Sequence, residues 1–228
     1  MLKKLTLGLL LISSGSYANI IIQGTRFIYP SGEKGINVQL TNNDNRPSLV
    51  QAWMDNGDMK SSPDSIKVPF VITPPVSRVE QHAGQTLRIN YTGEPLPADR
   101  ESVFYLNITD TPPKPRGENK NYLQFAVRSR LKFFYRPQGL KISVQDAYQK
   151  VTWQKTTLAG KNALRATNPT PYYITYSAVN AGSDAQQDAM LAPFSSHDFV
   201  MKGAVGRQVE WTVINDYGGF QSGKSSIQ

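Results

Sequence analysis

One segment constrains this chain more than any other: NYLQFAVRSRLKFFYRP, from Asn121 to Pro137. It holds no turn residue before its closing proline. Its apolar residues alternate: Leu123, Phe125 and Val127, then Leu131, Phe133 and Tyr135. At roughly 3.3 Å per residue such a run extends about 50 Å as a strand, whereas strands usually hold about 5–6 residues. Gln124, Arg128, Arg130 and Lys132 give the opposite face a wet, basic character. A long edge strand with an apolar row is a template for pairing with another chain. A protein that carries one either aggregates through it or uses it.

The rest of the chain reads as β structure cut by turns. Its 228 residues suffice for one large domain or two smaller ones, and a 39% hydrophobic content supports a real core. Eleven Tyr, nine Phe, fifteen Pro and seventeen Gly favour strands and tight turns. Outside the N-terminus no amphipathic helical run exceeds about two turns. The first half predicts strands over Ile20–Tyr29, Ile36–Thr41, Leu49–Met54, Val68–Thr73, Gln85–Tyr91, Ser102–Ile108 and Leu123–Tyr135, separated by Gly, Pro, Asn and Asp clusters. About seven regularly spaced strands are the signature of an immunoglobulin-like sandwich. The second half repeats the style with Val151–Thr156, Ala163–Thr167, Tyr172–Val179, Met190–Phe194, His197–Val200 and Gln208–Asn215. Pro137-Gln138-Gly139 is the expected linker. The fold class is therefore all-β, with two immunoglobulin-like domains over residues 19–138 and 139–228.

Residues 1–18 read as a cleavable signal peptide. Lys3 and Lys4 supply the positive start, and Leu5–Ile12 is apolar but too short to span a bilayer. Ser16-Tyr17-Ala18 is a small-x-small cleavage site, which starts the mature chain at Asn19. Bacterial export to the periplasm is the expected destination. The chain has no cysteine, so disulfides, cysteine-ligated metals and thiol nucleophiles are excluded. Net charge is +8, and it falls by two with the signal lysines. Apart from Arg128–Arg136 the charges are scattered, so no nucleic-acid partner is expected.

Catalytic chemistry finds no footing. His82 and His197 stand far apart without metal-ligand spacing, and no Gly-x-Ser-x-Gly elbow is present. Asp99 and Glu101 are indistinguishable from surface charges at this stage. Gly218–Ser225, GGFQSGKS, satisfies the phosphate-loop pattern. Only Ser226, Ile227 and Gln228 follow it, too few for the helix that aims amides at a phosphate. The expectation is a glycine-rich C-terminal loop, with no nucleotide, cofactor or metal, in a protein that is not an enzyme. The sequons at Asn90 and Asn107 fall inside predicted strands and are discounted.

Several motifs then occur in order. The most specific is LPADRESVFYLNITDTPP, Leu96–Pro113. Others are Gly24-Thr25-Arg26, Gln51-Ala52-Trp53, Thr73-Pro74-Pro75, Phe134-Tyr135-Arg136-Pro137, Asn168-Pro169-Thr170-Pro171-Tyr172-Tyr173 and Ile214-Asn215-Asp216-Tyr217-Gly218-Gly219. Together they resemble the periplasmic pilus, or fimbrial, chaperones of the chaperone–usher pathway, the PapD-like family. Thr111 departs from the aliphatic residue usual before the prolines. The resemblance spans essentially the whole mature chain.

That resemblance implies two sandwiches set at an angle around a cleft. It implies pilus subunits as partners, incomplete immunoglobulin-like folds whose groove takes a strand lent by the chaperone, and an outer-membrane usher as recipient. The donor strand is then Asn121–Arg130, with Leu123, Phe125 and Val127 as the inserted row. Arg26 and Lys132 match the cations that anchor the subunit's C-terminal carboxylate. Glu101, Arg136 and Asp216 match an interdomain salt-bridge network. The Thr111–Asn121 loop is short and proline-rich, which suits the subgroup with a short loop before the donor strand. Thr73-Pro74-Pro75 matches a turn that holds a cis proline in the family, at one bond or the other. A self-capping homodimer through the same apolar row is a further expectation. By strict alternation Lys132 falls on the face opposite Leu123, Phe125 and Val127, so the anchor requires a site beyond the paired segment or a bulge.

Three rival readings are weaker. A pilus subunit would carry one domain and a cysteine pair. A secreted adhesin or carbohydrate-binding module would need an aromatic platform, and Trp53, Trp153 and Trp211 read more simply as core residues. An exported hydrolase would need a convergent acid–base set.

Overall fold

The structure, a computed structural model, describes residues 20–60, 63–114, 123–185 and 188–228. The signal segment 1–18, Asn19, the loop residues 115–120 and the donor-segment residues Asn121 and Tyr122 lie outside the described residues. The first domain contains β1 (Ile20–Ile22), β2 (Arg26–Pro30), β3 (Ile36–Asn42), β4 (Ser48–Asp55), β5 (Phe70–Thr73), β6 (Val76–Val79), β7 (Gly84–Tyr91), β8 (Ser102–Thr111) and β9 (Val127–Arg136). They form two sheets, β1-β3-β7-β5 and β2-β9-β8-β4-β6. The second contains a short helix α1 (Val144–Lys150), then β10 (Thr152–Leu158), β11 (Lys161–Asn168), β12 (Ile174–Asn180), β13 (Ala189–Leu191), β14 (Ser195–Val200), β15 (Gln208–Ile214) and β16 (Phe220–Ser226). Its sheets are β10-β11-β14 and β13-β12-β15-β16.

The alternation read from the sequence becomes the two cores. In β3 and β7, Val38, Leu40, Leu87 and Ile89 point inward and are fully buried. Tyr29, Phe70, Phe133 and Tyr135 interlock at the centre, with Phe70 edge-on to Phe133 at 5.0 Å and Tyr29 stacked on Tyr135 at 6.0 Å. The second core is built around Trp153, Tyr176, Phe199 and Trp211. Each such side chain contributes about 1.5–3 kcal/mol when fully buried. Trp53 differs from the other two tryptophans: it stands half-buried on the outer face of its sheet, under Arg128.

Four local differences from the sequence reading have physical causes. Ile20–Tyr29 is two strands, because Gly24 adopts φ +125, open only to glycine, and redirects the chain from one sheet to the other. Between β5 and the additional strand β6, again in different sheets, the Thr73–Pro74 peptide is cis. β9 begins at Val127 rather than Leu123, because pairing with β8 ends at Asp110↔Val127. The expected C-terminal loop is strand β16, paired along its length with β15. Gly223 there is a packing residue: a Cβ would come within 2.3 Å of the Trp211 ring. The phosphate-loop look-alike is thus the turn at Gly218 and Gly219 followed by strand from Phe220. Helix α1 is capped by Ser143, whose Oγ accepts from the Asp146 amide at 3.1 Å, and it buries Val144, Ala147 and Tyr148.

Candidate functional site

Strand β9 is paired unequally. On one side β8 runs beside it from Val127 to Tyr135, antiparallel. On the other, β2 runs parallel to it only from Lys132 to Arg136. Val127–Leu131 therefore presents an open edge just where β2 stops. Val127, Ser129 and Leu131 share the face of the buried Phe133 and Tyr135, because side chains alternate. Leu123 and Phe125 continue the same parity ahead of the strand. Leu123, Phe125 and Val127 are 84%, 71% and 61% exposed. An apolar row this exposed marks an interaction site, and an incoming strand laid beside Val127–Leu131 would continue the position that β2 holds farther along.

At the end of that open edge stand two cations. Arg26 and Lys132 are register partners on β2 and β9 and so share one sheet face, the one opposite the apolar row. Burial lowers the pKa of Lys132, and the neighbouring Arg26 charge lowers it further. Burial likewise lowers that of Arg26. Arg26 Nη1 donates to the Ile214 carbonyl at 2.7 Å, which fixes the guanidinium against the second domain. Its Nε is buried with no hydrogen-bond partner among the described residues. Among the described residues neither cation has a salt bridge, although Arg128, Arg130 and Arg136 all do. Two desolvated like charges side by side with an unsatisfied donor form a site that an anion would stabilise.

Arg136 joins the two domains. Its Nε donates to Glu101 Oε1 at 2.7 Å, and Nη1 and Nη2 donate to both Asp216 oxygens at 2.7 and 2.9 Å. Glu101, 2% exposed, spans the boundary as well: its Oε2 accepts from the Tyr173 amide at 2.8 Å, and its own amide donates to the Pro171 carbonyl at 2.9 Å. Burial raises the Glu101 pKa more than Arg136 lowers it. Burial alone would lower that of Arg136, but the hydrogen bonds and charges of Asp216 and Glu101 outweigh it and raise the value. The three residues named from sequence thus meet at the boundary between domains. A residue missed from sequence, Tyr148 of α1, lies within reach of the same charges, and burial with the Asp216 charge pushes its hydroxyl up to about 12. Seven helical residues with three buried positions gave too weak a periodic signal to place it.

His82 and His197 are dispersed: His82 Nε2 sits 3.0 Å from Asn45 Oδ1, and His197 packs edge-on to Phe199. Among the described residues no group of three or more His, Asp or Glu could hold a metal ion.

With this geometry in hand, comparisons with known proteins agree on one kinship. The family model "Pili and flagellar-assembly chaperone, PapD N-terminal domain" matches residues 19–141, and "Pili assembly chaperone PapD, C-terminal domain" matches 146–225. The chain is 47% identical over 218 residues to the chaperone protein HifB of Haemophilus influenzae, covering 92% of this chain and 89% of that one. It is 44% identical over 227 residues to the probable fimbrial chaperone YadV of Escherichia coli K12, covering 94% and 92%. Among solved structures, the Salmonella enterica SafA pilin in complex with the SafB chaperone superposes with a TM-score of 0.81 at 29% identity, covering 93% of this chain and 98% of the other.

Proposed function

This chain belongs to the PapD-like family of pilus-assembly chaperones, and on that premise we propose that it captures pilus subunits by lending them the free half of β9. The observation that carries the reading is the coincidence of an open strand edge, an exposed apolar row and a cation pair that has no salt bridge among the described residues. Main-chain hydrogen bonds along Val127–Leu131 supply affinity, and Leu123, Phe125 and Val127 fill pockets of the subunit groove. The structure similarity to a chaperone solved with its pilin supports a pilin as the partner. The row covers subunit surface that would otherwise aggregate. No nucleotide or cofactor takes part and no bond is made or broken, so the protein acts as a chaperone and not as an enzyme.

Arg26 and Lys132 bind the carboxylate at the subunit's C-terminus. The fork of Arg26 meets a carboxylate with paired hydrogen bonds, and Lys132 adds a second charge. Lys132 lies one residue past the open edge, at the end where β2 takes over. This answers the alternation problem: the carboxylate is gripped beyond the inserted row, on the other face, and so fixes the register. Glu101, Arg136 and Asp216 hold the two sandwiches at a fixed angle around that cleft.

The N-terminal segment exports the chain to the periplasm, where loaded subunits pass to an outer-membrane usher. The short, proline-rich sequence of the Thr111–Asn121 loop supports membership of the short-loop subgroup. Without a subunit, a second copy of the chain caps the same row as a homodimer.

Co-expression with a pilus subunit encoded beside it tests the reading, with Arg26→Ala and Lys132→Ala in parallel. Recovery of a soluble one-to-one complex, lost in both variants, is expected. A soluble subunit with either variant removes the carboxylate anchor and leaves the strand. Failure of the wild type with a panel of subunits overturns the reading.

A further inference from the structure

The face of the first domain opposite the core carries a polar grid across three strands. Asp55 and Trp53 stand on β4, Tyr105 and Asn107 on β8, and Arg128 and Arg130 on β9. Pairing sets them in rows: Trp53, Asn107 and Arg130 lie side by side, as do Asp55, Tyr105 and Lys132. Both arginines lean diagonally into the next row. Arg130 crosses the Tyr105 ring at 3.5 Å and clasps Asp55 with Nε at 2.9 Å and Nη2 at 2.6 Å. Arg128 lies over Trp53 at 4.9 Å and donates twice to Asn107 Oδ1, at 3.0 and 2.8 Å. Asn107 in turn donates to Asp55 at 2.7 Å, as does the Gly57 amide.

Asp55 is fully buried and accepts four hydrogen bonds, two on each oxygen. Burial pushes its carboxyl up, but these bonds outweigh it and hold the group below the usual carboxylate value. A buried charge so bound is costly to strip of a partner. The grid sits behind the one stretch of β9 that has little else to hold it. Val127–Leu131 has one neighbouring strand instead of two, and the apolar row on its other face is exposed at Val127. Leu123–Ala126 continues the alternation but has no arginine in the grid and no strand partner, and it is not a strand.

We propose that Asp55 is a positioning residue for subunit capture: through Arg130 directly and Arg128 by way of Asn107, it holds the free half of β9 extended before any subunit arrives. This rests on the reading of β9 as the donor strand. An edge already extended loses less conformational freedom on pairing, so preorganisation strengthens capture without adding a contact. The grid also engages Arg130 with Asp55, which leaves Lys132, in the same row as that carboxylate, free for an incoming anion.

The test uses the full chain with Asp55→Asn, and with Arg130→Lys as a variant that keeps the charge but not the fork. In the free protein, amide hydrogen exchange at Val127–Leu131 is expected to rise about tenfold in Asp55→Asn while β3 and β7 keep their protection. Subunit capture, read by complex yield and dissociation rate, is expected to weaken in step, with Arg130→Lys intermediate. If Asp55→Asn does not fold, Arg128→Gln at the exposed margin of the grid carries the same comparison. Unchanged exchange, or loosened exchange with unchanged capture, overturns the role of Asp55 alone. A wild type that captures no subunit overturns the donor-strand reading and this role with it, whatever the exchange shows.

Discussion

The backbone of Gly218 rests against the side chain of Thr25: a β-carbon at 218 would come within 2.2 Å of the Thr25 hydroxyl, and Gly218 has φ +80. The turn after β15 is thereby seated on the residue preceding Arg26, and the Ile214 carbonyl at its start receives Arg26. The second domain orients the Arg26 guanidinium that the first domain supplies.

Gly218→Ala therefore strikes the anchor and the interdomain seat together. Strain at positive φ and the contact with Thr25 should cost about 1–3 kcal/mol. Denaturant unfolding reads the loss, and subunit capture should fall with it. Unaltered unfolding would show that the turn yields freely.

Lys132→Met should separate stability from function. Its ammonium is disfavoured in the folded state, first by burial and then by Arg26. Removing it should leave the melting temperature at or above that of wild type while subunit capture falls. A drop in melting temperature would mean that Lys132 has a stabilising partner.

Phe125→Ser should leave the free chaperone folded, because this side chain is exposed. A residue of this kind contributes about 1.5–3 kcal/mol on full burial, so subunit affinity should drop roughly tenfold or more while the melting temperature of the monomer, read at low protein concentration, stays put. Competition between wild-type and variant chaperone for one subunit measures the difference. Equal competition would place the inserted row elsewhere.

Gly223→Ala should destabilise the second domain by about 1–3 kcal/mol, because the added methyl overlaps the buried Trp211 ring. The effect should be the same with and without ATP. Protection by nucleotide would revive the phosphate-loop reading of GGFQSGKS.

Acid should reveal Asp55. Its folded pKa lies below the ordinary 3.8, so its stabilising contribution is complete above that value and is lost as pH falls through the folded pKa. As pH falls below about 4, wild type should lose stability more steeply than Asp55→Asn. Parallel acid limbs for the two proteins would contradict this.

Much of this protein was legible in one dimension because alternation and punctuation are local. Phe133, Phe134 and Tyr135 and the run Ser102–Ile108 announced two strands, and Leu123, Phe125 and Val127 announced an unfilled apolar row. The misreadings share a cause: a strand that changes sheets and one that stays look alike in periodicity. So Ile20–Tyr29 appeared unbroken; the three glycines of GGFQSGKS suggested a loop, whereas Gly223 lies in β16 and leaves room for the Trp211 ring. Motif resemblance named Arg26, Lys132, Glu101, Arg136 and Asp216, which lie up to 190 residues apart, but gave no distances.

By itself the sequence determined the two all-β domains, the alternating apolar row and the residue types of the cleft, since these follow from period-two patterning and from matches along the chain. Only the tertiary structure decided that β2 pairs with β9 no farther than Lys132 and leaves an edge open, that Arg26 and Lys132 stand together with no salt bridge among the described residues, and that Asp55 claims Arg130. Those facts depend on which strands lie side by side, and strand pairing is settled by burial and hydrogen bonding between segments far apart in the chain, which no local pattern records.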